Sequence, residues 1–321
     1  MQTNDPHALN GDFSLSVVVP VYGCVRCLVE LCDRLEAALA PITPRHEIIL
    51  VDDRSPDNAW ATITRLAAER RVVSGVRLSR NFGQHLAITA GLEAAQGDLV
   101  VVMDCDLQDP PERIADLVNK WREGYDLVLA RRIERSHSLF RVAAARLYFW
   151  LLSRLTEEPT DGAYGSFCLL SRKVVTAYLG FKEPERHFLF ILRWLGFNTG
   201  TIEYAHAERL TGKTSYSFGR LLRHALEGIF FQTTVLLRWV VIAGLLFGGL
   251  GAGLAVYLIY QYLAINVQPG WTSLAVLILL STGALLLSVG ITGLYIGKVF
   301  QQTKGRPLYV VDDAIPRQSS W

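Results

Sequence analysis

Gly97-Asp98-Leu99-Val100-Val101-Val102-Met103-Asp104-Cys105-Asp106-Leu107-Gln108-Asp109-Pro110-Pro111-Glu112 is the stretch on which the reading of this chain turns. An apolar run of the buried type ends abruptly in carboxylates spaced two apart, then breaks at a double proline. Side chains alternate along a strand, so Asp104 and Asp106 point the same way if strand geometry persists to the end of the run. Two carboxylates on one side repel unless a cation lies between them, and hard oxygen ligands suit Mg²⁺ or Mn²⁺. Mg²⁺ takes one or two protein carboxylates and fills its shell with phosphate oxygens. The stretch therefore predicts a metal-bound diphosphate at the carboxyl end of a parallel strand, where α/β sheets place ligands. An Asp-x-Asp alone fits a solvated exit from strand to turn equally well, and the surrounding sequence decides between the two.

Around this stretch strands and helices alternate. Ser14–Pro20 is β-branched, Leu28–Leu39 has helical apolar spacing, and Glu47–Val51 is a second strand ending at Asp52-Asp53. Ala59–Glu69 reads as helix, Val72–Leu78 as strand, Ala87–Ala95 as helix and Leu99–Met103 as strand. Pro111–Trp121 opens a helix with proline in its first turn, and Asp126–Ala130 is another strand. This βαβα order predicts an α/β domain with a mainly parallel, doubly wound sheet. Residues 1–12 read as a flexible leader.

The second half is different in kind. Between Arg238 and Lys298 there is no Asp, Glu, Lys or Arg. Trp239–Leu263 and Ser273–Gly297 are each long enough, at roughly 37 Å as helix, to cross a hydrocarbon core of about 30 Å. A short turn with Asn266, Pro269 and Gly270 joins them. Length, freedom from charge and Tyr/Trp-rich ends favour a transmembrane hairpin over a pair of buried core helices. Arg220, Arg223 and Arg238 precede the first span, Lys298, Lys304 and Arg306 follow the second, and the loop between has no basic residue. By the positive-inside rule both flanks face the cytoplasm, so the chain reads as a multi-pass protein of a bacterial inner membrane. Ser138–Leu155 and Phe218–Phe231 mix arginines with aromatics and leucines and read as interfacial helices against membrane lipids, with amphipathic core helices as the alternative. The expected division is a leader at 1–12, a cytoplasmic catalytic domain at 13–212, a juxtamembrane amphipathic helix at 213–234, two transmembrane helices at 235–300 and a cytoplasmic tail at 301–321.

A net charge of +2, with no Arg-rich tract or RNA-binding motif, argues against a nucleic-acid partner. Five cysteines fit a reducing compartment. Cys24-x-x-Cys27 has no second pair to complete a zinc site, and both read as packing residues rather than as a redox or metal site.

Four motifs occur in order: Val18-Val19-Pro20-Val21-Tyr22, Ile49-Leu50-Val51-Asp52-Asp53-Arg54-Ser55-Pro56-Asp57, Ser79-Arg80-Asn81-Phe82-Gly83-Gln84, and Asp104-Cys105-Asp106-Leu107-Gln108-Asp109-Pro110-Pro111-Glu112. Together they resemble the inverting glycosyltransferase family 2, with its GT-A fold for nucleotide-diphospho-sugars. Arg193-Trp194-Leu195-Gly196-Phe197, Arg209-Leu210-Thr211-Gly212-Lys213-Thr214-Ser215-Tyr216 and the tail around Lys304-Gly305-Arg306-Pro307 narrow the resemblance. They point to the polyprenyl-phosphate glycosyltransferases, the group of dolichol-phosphate mannose synthase and the undecaprenyl-phosphate glucosyl- and aminoarabinosyltransferases. The resemblance implies a nucleotide-sugar donor, a polyprenyl phosphate acceptor and Mg²⁺ or Mn²⁺ as cofactor.

It also implies roles. Pro20 ends the first strand and, with Tyr22, leaves backbone free to approach a nucleotide. Asp52 or Asp53 accepts a hydrogen bond from a base or ribose, unless the pair caps the next turn through Ser55 and Asp57. Asp104 and Asp106 hold the metal, with Gln108 near the diphosphate. Arg131, just after a strand, pairs with phosphate oxygens, while its neighbour Arg132 reads as a surface charge. Arg209 and Lys213 lie before the membrane entry, within reach of a lipid phosphate.

Two departures stand out. Tyr22-Gly23-Cys24 replaces the family's Tyr-Asn-Glu, so base recognition differs. Tyr164-Gly165-Ser166-Phe167-Cys168 replaces a Gly-Asp-Phe-Arg pattern near the acceptor site, so that either Asp161 is the substitute carboxylate or the acceptor site is built differently. A phosphate monoester acceptor, already anionic with a second pKa of about 6, does not need a strong base there. Two other readings are a processive polysaccharide synthase, which the missing Gln-x-x-Arg-Trp motif opposes, and a non-catalytic scaffold, which the retained carboxylates oppose. The donor motifs all precede residue 135, so a chain ending near Thr234 is expected to keep nucleotide-sugar binding. The sugar and the oligomeric state stay open, a homo-oligomer included.

Overall fold

Strand β1 (Leu15–Val21) is buried at every position, because helices cover the sheet on both faces. The computed structural model describes residues 13–133, 164–183, 186–205, 235–265 and 270–318. The leader at 1–12 and the basic-aromatic segments Ser138–Leu155 and Phe218–Phe231 lie outside the described residues. The chain divides into two compact units: Met1–Val142 with Asp161–Thr214 and Arg306–Trp321, and Ala143–Thr160 with Ser215–Gly305.

The first unit holds an eight-stranded sheet. After β1 come β2 (His46–Asp52), β3 (Val73–Leu78), β4 (Leu99–Val102), β5 (Leu127–Ile133), β6 (Tyr164–Ser171), β7 (Thr199–Ala205) and β8 (Val311–Ile315). Their spatial order is β7-β5-β6-β4-β1-β2-β3-β8. β1 runs parallel to β2 and β4, β2 to β3, and β5 to β7, whereas β6 and β8 pair antiparallel to their neighbours. This is the α/β, mostly parallel sheet expected from the alternation of strands and helices.

Helices α1 (Leu28–Leu39), α2 (Ala59–Glu69) and α4 (Ile114–Arg122) cover one face, packing on Val17, Val19, Leu50, Val101 and Val128. Helices α3 (Gln84–Ala94), α5 (Arg172–Leu179) and α6 (Phe188–Trp194) cover the other, on Val18, Val51, Val100 and Val102. Helix α3 lies so close to β1 that a Cβ on Gly91 would stand 2.2 Å from Val18 Cγ1. Alternate residues of β1 thus feed two separate cores, which is why its apolar run has no polar face.

Two features differ from the sequence reading. Strand β4 stops at Val102, so the alternation extended above to Asp106 does not persist; residues 103–110 turn instead, with Leu107 at a φ of 60°. The segment read as a plain tail at 301–321 supplies β8, paired antiparallel to β3. Asp312 and Asp313, charged and exposed, blunt that outer edge strand.

The second unit contains α7 (Val235–Ile265) and α8 (Trp271–Thr303), of 31 and 33 residues, which pack on each other. Leu280–Gly297 is long and apolar enough to cross a membrane, and Trp239–Leu254 is a shorter apolar stretch. Leu245, Leu250, Leu263, Leu285, Leu286 and Leu287 are all exposed. This inverts the surface of a water-soluble helix pair, which would turn such residues inward.

Candidate active site

Strand order reverses at β1. The chain moves from β1 to β2 to β3 on one side, and then β4 enters on the other. At such a reversal the loops at the carboxyl ends of the two central strands diverge and open a crevice. Asp104 lies there, two residues past β4, beside Met103, whose backbone N–H donates to Val18 O of β1 at 3.1 Å.

Asp104 is the hub of the crevice. Its Oδ1 accepts from Gln84 Nε2 at 2.7 Å, at the start of α3, and from Ser166 Oγ at 2.6 Å, on β6. Its Oδ2 faces Arg132 Nη2 at 3.9 Å. The antiparallel β4–β6 register, in which Val102 pairs with Cys168, carries Ser166 opposite Asp104. Burial, followed by the charges of Asp109 and Asp106, pushes the Asp104 carboxyl up to about 6, against the pull of Ser166 and Arg132. Three carboxylates thus crowd one end of β4. Asp106 Oδ1 also accepts from Gln108 N at 3.2 Å, which folds the turn back on itself. Between them Cys105 is buried on the α1 face, in the same apolar cluster as Cys27 and against Cys24; all five cysteines are free thiols.

Asp109 is fully buried and sits beneath the turn. Tyr204 Oη on β7 donates to its Oδ1, and Arg132 Nη2 on β5 donates to the same oxygen at 3.4 Å. Arg132 Nε also donates to Tyr204 Oη at 3.1 Å. Gly165 completes this cluster, because any Cβ there would stand 2.6 Å from Arg132 Nη2. Burial raises the Tyr204 phenol, reinforced by Asp109, so it stays a donor.

The sequence reading favoured Arg131 over Arg132, and the structure places Arg132, not Arg131, beside the carboxylates of the crevice. Successive residues of a strand face opposite ways. In the parallel β5–β7 register Arg131 pairs with Glu203 and Arg132 with Tyr204. Arg131 therefore makes a surface ion pair with Glu203 at 3.2 Å, while Arg132 enters the carboxylate cluster.

The loop after β2 is wired differently. Asp53 is buried, and its two oxygens accept from Phe82 N at 2.7 Å and Gly83 N at 2.8 Å, fixing the entry to α3. Asp52, equally buried, accepts from Ser55 N at 2.8 Å and faces Arg77 Nε at 3.6 Å. Burial raises both carboxyls, and these donors oppose the shift. Asp52 thus caps the turn at Ser55, whereas Asp53 ties the same loop to the entry of α3. Ser55 and Asp57 in turn tie the loop to the one after β1: Gly23 N donates to Ser55 Oγ at 2.7 Å and Val25 N to Asp57 Oδ2 at 2.8 Å. Arg54 and Asn58 hold φ of 56° and 59°, a left-handed conformation that costs a non-glycine residue of the order of 1–3 kcal/mol. Pro20 is buried opposite Val51, and Tyr22 is 53% exposed at the mouth of the crevice.

Asp161, Arg209 and Lys213 lie outside the described residues. Among the described residues no group of three His, Cys, Asp or Glu side chains is arranged to hold a metal. Gln84, Ser166, Asp109, Arg132 and Tyr204 were not singled out as site residues from the sequence. Asp109 belongs to the acidic motif and Ser166 marks the departure at 164–168, but nothing local distinguishes Tyr204.

In an open α/β sheet of this kind ligands bind at the strand-order reversal, where these carboxylates crowd. The chain belongs to glycosyl transferase family 2, whose pattern it matches over residues 16–179. It is 36% identical over 301 residues to an uncharacterized glycosyltransferase of Synechocystis sp., covering 93% of this chain and 95% of that one. It is 35% identical over 311 residues to the undecaprenyl-phosphate 4-deoxy-4-formamido-L-arabinose transferase of Klebsiella pneumoniae, covering 94% and 93%. Among solved structures, glucosyl-3-phosphoglycerate synthase of Mycobacterium tuberculosis, crystallised with Mn²⁺, UDP and glucosyl-3-phosphoglycerate, aligns with a TM-score of 0.48 at 19% identity, over 72% of this chain and 82% of that one.

Proposed function

We propose that this glycosyltransferase moves a sugar, with inversion, from a nucleotide-sugar to the phosphate of a polyprenyl phosphate such as undecaprenyl phosphate, at the cytoplasmic face of a membrane spanned by α7 and α8. The observation that carries the reading is the crowding of Asp104, Asp106 and Asp109 at the carboxyl end of β4, in a chain related over nearly its whole length to an undecaprenyl-phosphate glycosyltransferase.

Asp104 and Asp106 fit a divalent ion, Mg²⁺ or Mn²⁺. Their oxygens are hard donors, and a carboxyl pushed up to about 6 by desolvation and then by the acids beside it is one whose charged form a cation restores. Two protein carboxylates suffice where diphosphate oxygens complete the shell. The bound ion would neutralise charge on the departing nucleoside diphosphate. Gln84 and Ser166 hold Asp104 Oδ1 in place, which fixes the carboxylate's orientation before the ligand arrives. Asp109 and Tyr204 hold Arg132, whose guanidinium reaches the same crevice and supplies positive charge for a phosphate oxygen. Asp52 and Asp53 shape the nucleotide side by fixing two loops, with Pro20, Tyr22 and Gln108 along the donor path. Arg209 and Lys213 are assigned to the lipid phosphate, and Asp161 to the acceptor side, on sequence alone.

An anchored domain suits such an acceptor, because extracting the lipid into water would cost about 0.8 kcal/mol per CH₂. The test is to incubate membranes containing the protein with a panel of nucleotide-sugars and a polyprenyl phosphate, and to identify the lipid by mass spectrometry. A new glycosyl-phosphate lipid is expected with one donor. Transfer to a protein or a growing glycan, with no such lipid, would overturn the reading.

A further inference from the structure

The C-terminal strand does more than close the sheet edge. Arg54 directly follows Asp52-Asp53 and carries a left-handed φ of 56°. A non-glycine residue keeps such a conformation only where its surroundings over-determine it. Its guanidinium is held by Asp312 of β8, with Nη1 donating to Oδ2 at 2.6 Å, across 258 residues of chain. Arg77 of β3 lies between the same Asp312 oxygen, at 3.9 Å, and Asp52 Oδ2, at 3.6 Å. The four charges alternate in sign: Arg54, Asp312, Arg77, Asp52.

The strand itself is firmly placed. Ser79 N donates to Val310 O at 2.9 Å, and Arg77 pairs with Asp313 in register. Further on, Arg317 Nη1 stands 3.5 Å from Glu47, and Gln318 Nε2 donates to Ala67 O at 3.0 Å. From Arg54 the loop runs on to Ser55 and Asp57, which bind the backbone of Gly23 and Val25 after β1.

We infer that Asp312 is a positioning residue for the donor site: through Arg54 and Arg77 it sets the Asp52–Asp57 loop, and through that loop the nucleotide side of the crevice. The inference rests on the donor-site reading proposed above. It also predicts that a chain ending near Thr234, which lacks β8 and Asp312, binds the donor more weakly than the full chain. An isolated exposed ion pair contributes little to stability, so the effect should appear in ligand affinity more than in unfolding.

The experiment uses the full chain in detergent with Mn²⁺ and measures the Kd of UDP and of GDP by calorimetry. It also measures KM for polyprenyl phosphate, and hydrogen exchange of the nucleotide-free protein. The variants are Asp312→Asn, Asp312→Glu, and Asp313→Asn, whose only role in the contacts above is in the strand register. Asp312→Asn is expected to weaken nucleotide binding about fivefold, the scale of a broken charge pair. Asp312→Glu should restore binding, Asp313→Asn should match wild type, and KM for the lipid should not move. In Asp312→Asn the amides of Gly23, Val25 and Ser55 should exchange faster. Wild-type nucleotide affinity in Asp312→Asn, or an equal loss in Asp313→Asn, would overturn the inference. A wild type that binds neither nucleotide would overturn the donor-site reading instead. Exchange would then still decide whether Asp312 holds the loop, and unchanged rates would overturn that as well.

Discussion

After β2 a buried strand ends in Asp52 and Asp53; after β4 another ends in Asp104 and, two residues on, Asp106. In the first loop the carboxylates face donors. Asp53 takes two backbone N–H groups, and Asp52 takes one together with the Arg77 guanidinium. In the second loop donors are present too, but the acids also crowd one another: burial, then the charges of Asp109 and Asp106, pushes Asp104 up to about 6. The difference lies in what the neighbouring strand presents. The β2 loop meets backbone amides, whereas the β4 loop meets side chains: Gln84, Ser166, Tyr204, one arginine and further acids. A satisfied carboxylate holds a fold together, and a crowded one is poised to take a cation.

The largest expected effect breaks the second loop. Asp106→Ala, or Asp104→Asn, should lower sugar transfer by about a thousandfold, equivalent to roughly 4 kcal/mol of transition-state stabilisation. Thermal unfolding should show no loss of stability in Asp104→Asn, because a buried, repelled charge has been removed. Excess chelator should abolish wild-type transfer, and full activity in chelator would refute the metal assignment.

Next comes the arginine that faces the acids. Arg132→Ala strips a partner from a fully buried carboxylate and should destabilise the catalytic domain by about 3 kcal/mol, read by denaturant unfolding. Arg131→Ala breaks an exposed pair with Glu203 and should cost below about 1 kcal/mol. Equal costs would mean that the strand's alternation does not govern the two.

Asp53→Ala tests the first loop. It leaves two half-buried amides without an acceptor and should destabilise by about 1 kcal/mol, with faster hydrogen exchange at Phe82 and Gly83. Loss of activity without loss of stability would instead place Asp53 in contact with the donor.

The last effect is the pH dependence. Burial and the neighbouring acids push the Asp104 carboxyl from its usual 3.8 up to about 6, so between those values the folded state holds more protons than the unfolded state. Its contribution is therefore present at the low end and is lost as pH rises through about 6. A cation reverses the sign, since it binds the ionised form. Stabilisation by Mn²⁺ should be greater at pH 7 than at pH 5 by about 1.4 kcal/mol for one proton displaced over one unit below 6, read as a thermal shift. A shift independent of pH would remove Asp104 from the ion's shell.

Much of the architecture was legible in the residues. β-branched runs, helical spacing and the double proline marked the strands and helices from β1 to β5, because those signals repeat within a few residues. The charge-free stretch from Trp239 to Gly297 marked the second unit for the same reason. The acids at the strand ends could be read as well, since an apolar run that stops in carboxylates exposes them at a sheet edge.

What those acids do depended on residues far away in sequence. Ser166 meets Asp104 across 62 residues, Tyr204 meets Asp109 across 95, and Asp312 meets Arg54 across 258. No periodicity links such positions. Strand order and register bring them together, and a shift of one residue would exchange Arg131 for Arg132. Local spacing dictated the strands, the helices and the acidic ends of β2 and β4. Long-range pairing decided which acids are satisfied, which arginine meets Asp109, and that Val311–Ile315 pairs with β3 and brings Asp312 to Arg54.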